Sequence, residues 1–120
     1  HHAVRTTLET HPGPLVTTPP VIADAGWLIR RQLGTNAEVA VYRSIAAGGL
    51  DIEPLTATDW ERIAELVHTY TDIGLDAADT SLIAIAERLN QTVIATLDTR
   101  AFRIVRPAHT NAFELLPGPI

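Results

Sequence analysis

Residues 92–97, TVIATL, form a continuous apolar run. Such a run is typical of a parallel strand that is buried on both faces of a sheet. The segment before it, 76–90, has helical spacing of apolar residues, and Asp76 stands at its N-cap with Asp79 three residues on. Neighbouring parallel strands need a crossover connection, which is usually a helix. The run therefore predicts an α/β fold: a three-layer sandwich with a parallel central sheet and helices on both faces.

Other periodic segments continue the alternation of strands and helices. Strands are predicted at Leu15 to Thr18, in LDIEPL (50–55), and as short proline-terminated edge strands in RIVRP (103–107) and FELLP (113–117). Helices are predicted from the proline pair at 19–20 to Leu33, from Thr35 to Ala47, and over 56–70, and residues 3–10 resemble the end of a helix. No repeat or long linker interrupts this order, so residues 1–120 are predicted to form a single domain.

The segment 56–70, TATDWERIAELVHTY, has the clearest helical periodicity in the chain. Thr58 or Asp59 is the predicted cap. The apolar stripe consists of Trp60, Ile63, Ala64, Val67 and Tyr70. Because apolar residues at this spacing share one face of a helix, the stripe is predicted to face the core.

Composition excludes several classes of protein. The chain has no cysteine, which excludes disulfides, thiolate zinc sites and cysteine nucleophiles and favours a cytoplasmic protein. The net charge of -5 argues against a broadly basic nucleic-acid binder but allows a local basic patch. No apolar run approaches the roughly 18 residues that a membrane span needs, so no membrane partner is expected.

Three aspartates are predicted to meet at one edge of the sheet. Asp98 directly follows the apolar run, Asp79 lies in the first turn of its helix, and Asp24 lies in the first turns of the helix after the first strand. Sites in α/β folds lie beyond the carboxyl ends of the strands. Crowded carboxylates repel each other unless a cation lies between them, and a hard divalent ion such as Mg²⁺ prefers oxygen ligands. The pattern therefore predicts metal-assisted hydrolysis of a phosphodiester.

Each of these acids also has a structural interpretation. An isolated aspartate at a helix start is most often a cap or a partner of the helix dipole, and Asp98 alone could begin a turn. Asp76 is interpreted as a cap, with a role as a metal ligand, or beside the ligands, as the less favoured alternative. The spacing also places Asp79 on the same side of its helix as Ile83 and Ala86. Asp79 is therefore predicted to be buried beside these apolar residues, as expected if a metal-binding rim closes over the core.

The segments DAADTSLIAIAERL, VIATLDTRAFRIVRP and FELLP together resemble the PIN domain, and within it the VapC-type toxins of bacterial VapBC toxin-antitoxin systems. The resemblance covers essentially the whole chain. It implies a metal-dependent ribonuclease that acts as a toxin, with Mg²⁺ or Mn²⁺ as cofactor. The implied catalytic and metal-binding residues are Asp24, Asp79 and Asp98. Thr96 matches the hydroxyl residue that orients ligands or water beside the ion.

The resemblance also implies partners. RNA is the substrate, and Arg100, Arg103 and Arg106 are the residues expected to hold its phosphates, with a solvated charged edge as the alternative interpretation. A VapB-like antitoxin and a second copy of the chain are the expected protein partners. The apolar helices 21–33 and 35–47 are candidates for the homodimer face.

Two departures from the family pattern keep alternatives open. The family usually has glutamate where this chain has Asp24, which is shorter by one methylene. The family also begins with a strand that ends in an aspartate, and on the order of twenty residues containing this strand are expected to be missing, so that the domain is N-terminally incomplete. One alternative is a catalytically degraded PIN-like module that binds a partner protein or RNA. Another is a structural α/β domain in which the three acids lie far apart.

Overall fold

The computed structural model describes residues 15–96 and 99–116. The strands in this part of the chain are β1 (Val16–Thr17), β2 (Asp51–Ile52), β3 (Val93–Ala95) and β4 (Glu114–Leu116). The helices are α1 (Pro19–Leu33), α2 (Thr35–Ala46), α3 (Ala57–Thr69), α4 (Ala77–Arg88) and α5 (Arg100–Ile104). The helical end predicted for residues 3–10 lies outside the described residues. Among the described helices, none is long and apolar enough to cross a membrane.

The described strands pair in parallel, as the alternation of strands and helices predicts. β1 pairs with β2, and β3 pairs with β4. The pairs form two separate two-stranded sheets within the described residues. Ile94 is buried in β3, whereas Val93 is only partly buried and Ala95 is exposed. The prediction that the run 92–97 is buried on both faces is therefore wrong for its described residues. One face of β3 is incompletely covered.

Helix α4 lies at the centre of the molecule and packs against α1, α3 and α5. This position explains its nearly continuous apolar sequence, since a helix with neighbours on several sides cannot keep a broad polar face. Six of its residues are buried: Thr80, Ser81, Ile83, Ala84, Ile85 and Ala86. The hydrophobic core around α4 extends to Leu66 on α3 and Phe102 on α5.

Helices α1 and α2 form a closely packed hairpin. Gly34 joins them with a φ of 92°, a conformation that favours glycine. At the crossing point the ring of Tyr42 lies directly over Gly26, and a Cβ atom at position 26 would lie 2.1 Å from the tyrosine hydroxyl oxygen. That hydroxyl donates a hydrogen bond of 2.7 Å to Glu38. A side chain at position 26 would therefore displace the Tyr42 ring, which is 41% exposed.

The cap of helix α3 lies two or three residues before the predicted one. Thr56 is the N-cap: its hydroxyl accepts a hydrogen bond from the backbone N–H of Asp59 at 3.1 Å. The Asp59 carboxylate accepts one in return from the backbone N–H of Thr56 at 2.9 Å. This is a capping box, in which both side chains satisfy backbone donors. The prediction of Thr58 or Asp59 as the cap is wrong because Asp59 is the third helical residue and the reciprocal partner of the cap.

The predicted apolar stripe of α3 is only partly correct. Ile63 is buried, but Trp60 is 50% exposed and Val67 is 41% exposed, while Leu66, which is outside the stripe, is only 2% exposed. The buried side of the helix also includes the polar residue Asp59. The helix is therefore rotated about its axis relative to the prediction, because charged side chains on its inner side pair with α4.

Two ion pairs join α3 to α4. The Nε atom of Arg88 lies 3.1 Å from both carboxylate oxygens of Asp59. Arg62 donates two hydrogen bonds to Glu87, at 2.8 and 2.9 Å, and Glu87 also accepts the backbone N–H of Ala108 at 2.7 Å. In this geometry each partly buried charge has a partner of opposite sign, so no buried charge is left unpaired. These contacts fix α3, α4 and the segment after α5 relative to one another.

The same ion pairs make stability depend on acid pH. Burial works to raise the pKa of Asp59, but the hydrogen bonds from Arg88 and the Thr56 backbone outweigh it, so the pKa lies below its ordinary 3.8. Burial likewise works to raise the pKa of Glu87, but Arg62 and the N–H of Ala108 bring it below 4.5. Below these ordinary values the unfolded chain binds more protons than the folded one. The stabilisation is therefore complete above about pH 5 and is lost as pH falls through the lowered folded-state values.

We expect the free energy of unfolding, measured by urea titration, to fall between about pH 5 and pH 3. The double variant Asp59→Asn with Glu87→Gln should have a smaller pH dependence in this window, because it removes both titrating groups. A variant at exposed Glu61, Glu61→Gln, serves as the control and should keep the parental slope. An unchanged slope in the double variant would show that other carboxyls determine the acid sensitivity.

The two predicted edge strands near the C-terminus have different outcomes. FELLP is confirmed as a strand, since β4 occupies residues 114–116. RIVRP is not a strand: its first two residues end α5, whose backbone bonds include Val105 N–H to Ala101 carbonyl at 3.0 Å. Phe102 and Val105 are buried and Ile104 is 44% exposed, a helical pattern and not an alternating one. The predicted strand started at Arg103. It therefore left out Phe102, whose burial together with Val105 shows the helical spacing.

Candidate active site

The start of α4 holds the first candidate acid. Asp76 is the N-cap, and its side chain accepts the backbone N–H of Asp79 at 2.8 Å, which confirms its predicted cap role. Thr80 adds a hydroxyl bond of 2.7 Å to the carbonyl of Asp76. Asp79 is half-buried in the first turn, one turn before the fully buried Ile83. The positive end of the helix dipole favours a carboxylate at this position.

The second candidate acid, Asp24, lies on α1. It is exposed and six residues after Thr18, the residue that precedes the helix. At about 1.5 Å of rise per residue, this places Asp24 about 9 Å along the helix axis from Thr18. Helices α1 and α4 pack against each other. The structure therefore brings together the two helices that carry Asp24 and Asp79.

A buried hydroxyl contact joins the starts of these helices. The Oγ1 atom of Thr18 lies 2.6 Å from the Oγ atom of Ser81, and neither residue has exposed surface. Thr18 directly follows β1, so the contact lies at the carboxyl end of that strand. This is the edge at which sites form in α/β folds.

The carboxyl end of β3 supplies the remaining predicted residues. Thr96 directly follows the strand, is half-buried, and donates its backbone N–H to the Leu116 carbonyl at 2.8 Å. Its neighbour two residues on, Asp98, lies outside the described residues. Thr96 therefore lies at the carboxyl end of β3, at the sheet edge. Its predicted role in orienting ligands stays a prediction.

The three predicted RNA-binding arginines follow β3. Arg100 is the first residue of α5, Arg103 lies in its last turn, and Arg106 comes two residues after its end. All three are exposed. The backbone N–H of Arg106 donates to the hydroxyl of Tyr70 at 2.9 Å, which fixes the chain after α5 against the end of α3. The segment therefore presents cationic side chains from an anchored backbone.

The chemistry of the donors fits a hard divalent ion. Asp24 and Asp79 offer carboxylate oxygens and Thr96 offers a hydroxyl, and oxygen is the ligand that Mg²⁺ and Mn²⁺ prefer. Within residues 15–96 and 99–116, no group of three or more histidine, aspartate and glutamate side chains could hold a metal ion. A three-carboxylate site would therefore need Asp98 in addition to the two described acids.

Sequence reasoning did not identify Thr18 and Ser81. They are 63 residues apart, and a single sequence gives no indication that two distant hydroxyls meet. One local signal was available. Thr18 stands at an N-cap position directly before two prolines, where its hydroxyl has few backbone donors to satisfy.

Parallel strands, helices between them, and acids on two packed helices define an α/β domain with a candidate acidic site. The PIN domain family matches residues 1–107, and the chain belongs to this family. It is similar to Ribonuclease VapC26 of Mycobacterium tuberculosis (strain ATCC 25618 / H37Rv), with 32% identity over 117 residues that cover 98% of this chain and 87% of that protein.

A solved structure confirms the fold. The chain superposes on the crystal structure of VapC20, the sarcin-ricin loop cleaving toxin of Mycobacterium tuberculosis, with a TM-score of 0.77. The two sequences are 18% identical, and the match covers 84% of this chain and 78% of that one. The α/β architecture is thus shared with VapC20 despite low sequence identity.

Proposed function

We propose that this protein is a metal-dependent endoribonuclease and the toxin of a toxin-antitoxin pair. The observation that carries the proposal is the junction of α1 and α4: the helices bearing Asp24 and Asp79 meet through Thr18 and Ser81 at the carboxyl end of β1. Membership of the PIN domain family and similarity to Ribonuclease VapC26 support the choice of RNA as substrate. The proposed site of action is the cytoplasm.

Asp24, Asp79 and Asp98 are the residues that would hold Mg²⁺ or Mn²⁺. Such an ion, when bound, polarises a phosphoryl oxygen and lowers the pKa of a coordinated water. Asp79 suits this role because partial burial and the fixed first turn of α4 restrict its orientation. Asp76 supports it by capping that turn.

The exposed arginines after β3 would hold the RNA backbone. A guanidinium group donates two parallel hydrogen bonds to a phosphate and stays charged at all physiological pH values. Arg100, Arg103 and Arg106 all come within eight residues of Asp98 in the sequence. This supports a phosphate-binding segment beside the acids in a protein whose overall charge is negative.

A homodimer and a VapB-like antitoxin are the proposed protein partners. Helix α1 exposes three large apolar side chains, Trp27, Leu28 and Leu33. None of the residues of α2, all of which are described, is fully buried. Apolar surface of this kind is typical of a protein interface. It supports the α1–α2 hairpin as a contact surface.

The second candidate function is a degraded PIN-like module that binds a partner without cleaving RNA. Asp24 favours it, because this acid is exposed and one methylene shorter than the glutamate usual in the family. The two proposals differ in metal chemistry. A nuclease needs the ion for turnover, whereas a binding module does not.

Cleavage of a labelled RNA by the purified protein distinguishes them. We expect fragments in the presence of Mg²⁺ or Mn²⁺ and none after addition of excess EDTA, since the acids alone supply no nucleophile. The variant Asp24→Glu restores the longer family side chain and should cleave at least as fast as the parent. Intact RNA under every metal condition, together with a melting temperature that Mn²⁺ does not change, would favour the binding module.

A further inference from the structure

The contact between Thr18 and Ser81 has a defined direction. The Ser81 hydroxyl donates its proton to the carbonyl of Ala78 at 2.7 Å. A hydroxyl has one proton to donate, so in the 2.6 Å contact Thr18 is the donor and Ser81 the acceptor. The result is a continuous chain of hydrogen bonds from Thr18 through Ser81 to the peptide group of Ala78, which directly precedes Asp79.

The hydroxyl of Thr18 does not make the hydrogen bond that is usual for an N-cap residue. Threonine at this position normally accepts a backbone N–H from the second or third helical residue. Here its side chain makes no capping bond, and the first two helical positions are Pro19 and Pro20. Proline has no N–H, so of the two donors that a cap normally satisfies, the one at the second helical position is absent. The prolines leave the hydroxyl available to another helix, and it bonds to α4.

We propose that Thr18 and Ser81 are positioning residues for the metal site: their hydroxyl bond sets the position of Asp79 relative to α1, and so the affinity for the divalent ion. The inference rests on the proposed function and deepens it. The bond attaches the end of β1 and the start of α1 to the peptide group next to Asp79. A displacement of about 1 Å between metal-binding groups is enough to weaken a site strongly.

Burial explains why the bond holds its geometry. Neither Thr18 nor Ser81 has solvent-exposed surface, so water does not offer an alternative partner to either hydroxyl. An unpaired hydroxyl in this environment carries a desolvation penalty. The two hydroxyls therefore keep one arrangement. A fixed arrangement is required of residues that position a neighbouring group.

The test compares Thr18→Val, which has the same shape without the hydroxyl, with Thr18→Ser, which keeps it. Mn²⁺ is titrated while the melting temperature is recorded, and the same proteins are assayed for RNA cleavage over a range of Mn²⁺ concentrations. We expect Thr18→Val to need about 10-fold or more Mn²⁺ for the half-maximal response in both measurements, with KM for RNA unchanged. Thr18→Ser should behave like the parent.

Ser81→Ala breaks the same chain from its other side and should raise the Mn²⁺ requirement in the same way, which keeps the test decisive if Thr18→Val is poorly folded. Ile63→Val is the control for general destabilisation, since Ile63 is buried on α3. It should lower the melting temperature without changing the Mn²⁺ requirement. Parental Mn²⁺ dependence in both hydroxyl variants would overturn the positioning role alone. A parent protein that neither responds to Mn²⁺ nor cleaves RNA would overturn the proposed function itself.

Discussion

Replacing Asp79 by asparagine is expected to reduce the rate of RNA cleavage by about 100-fold or more, as loss of a group that stabilises charge at a reacting centre typically does. Asparagine has nearly the same shape but no charge, so it is a poor ligand for a hard divalent ion. The fold should be retained. The backbone N–H of Asp79 still donates to Asp76, and the lost charge at the helix start is worth only about 0.3–1 kcal/mol of stability.

A matched variant separates the loss of a ligand from a change in net charge. Asp72 is exposed in the turn between α3 and α4 and outside the proposed site. Asp72→Asn makes the same chemical change and should keep parental cleavage. Initial rates at saturating Mg²⁺ and thermal melting of both variants form the measurement. Cleavage by Asp79→Asn at the rate of Asp72→Asn would exclude Asp79 from the metal site.

Local chemistry made the four described strands and most helix bounds predictable, but it also gave a false strand at RIVRP in place of α5. The proline pair predicted the start of α1, Asp76 predicted the start of α4, and the apolar runs predicted β1 and β3 within one or two residues. Each of these signals acts through backbone groups that are close in sequence. The acids could be predicted only in outline. Their residue types indicated a divalent ion, and the resemblance to PIN domains selected which acids to consider.

Tertiary contacts explain what the sequence did not reveal. The apolar period of α3 placed Val67 inside, but two charged residues on its other side pair with α4 and determine which face is buried. Partly buried ion pairs produce no apolar periodicity, so hydrophobic spacing alone gives the wrong rotation. The hydroxyl pair at the proposed site is a similar case. Thr18 and Ser81 are polar residues whose role depends on a partner 63 positions away.

Two adjacent substitutions on α3 test this rotation directly. Leu66 is 2% exposed and Val67 is 41% exposed. Leu66→Ala should lower the free energy of unfolding by about 2–5 kcal/mol, because it leaves a cavity in a core formed with Ile83 and Phe102. Val67→Ala removes apolar surface that water already reaches, and a surface change of this kind usually alters stability by about 0.5 kcal/mol or less. Urea unfolding at neutral pH measures both values.

The stability costs of the two substitutions can be compared directly because the two residues are neighbours on one helix. Valine to alanine also raises helix propensity slightly, which reduces the expected cost of Val67→Ala still further. The reverse order of effects would mean that Trp60 and Val67 face the core, as the apolar period alone indicates. In that arrangement Asp59 would face solvent and its ion pair with Arg88 would be lost. The relative cost of the two substitutions therefore reports which face of α3 packs against the helix that carries Asp79.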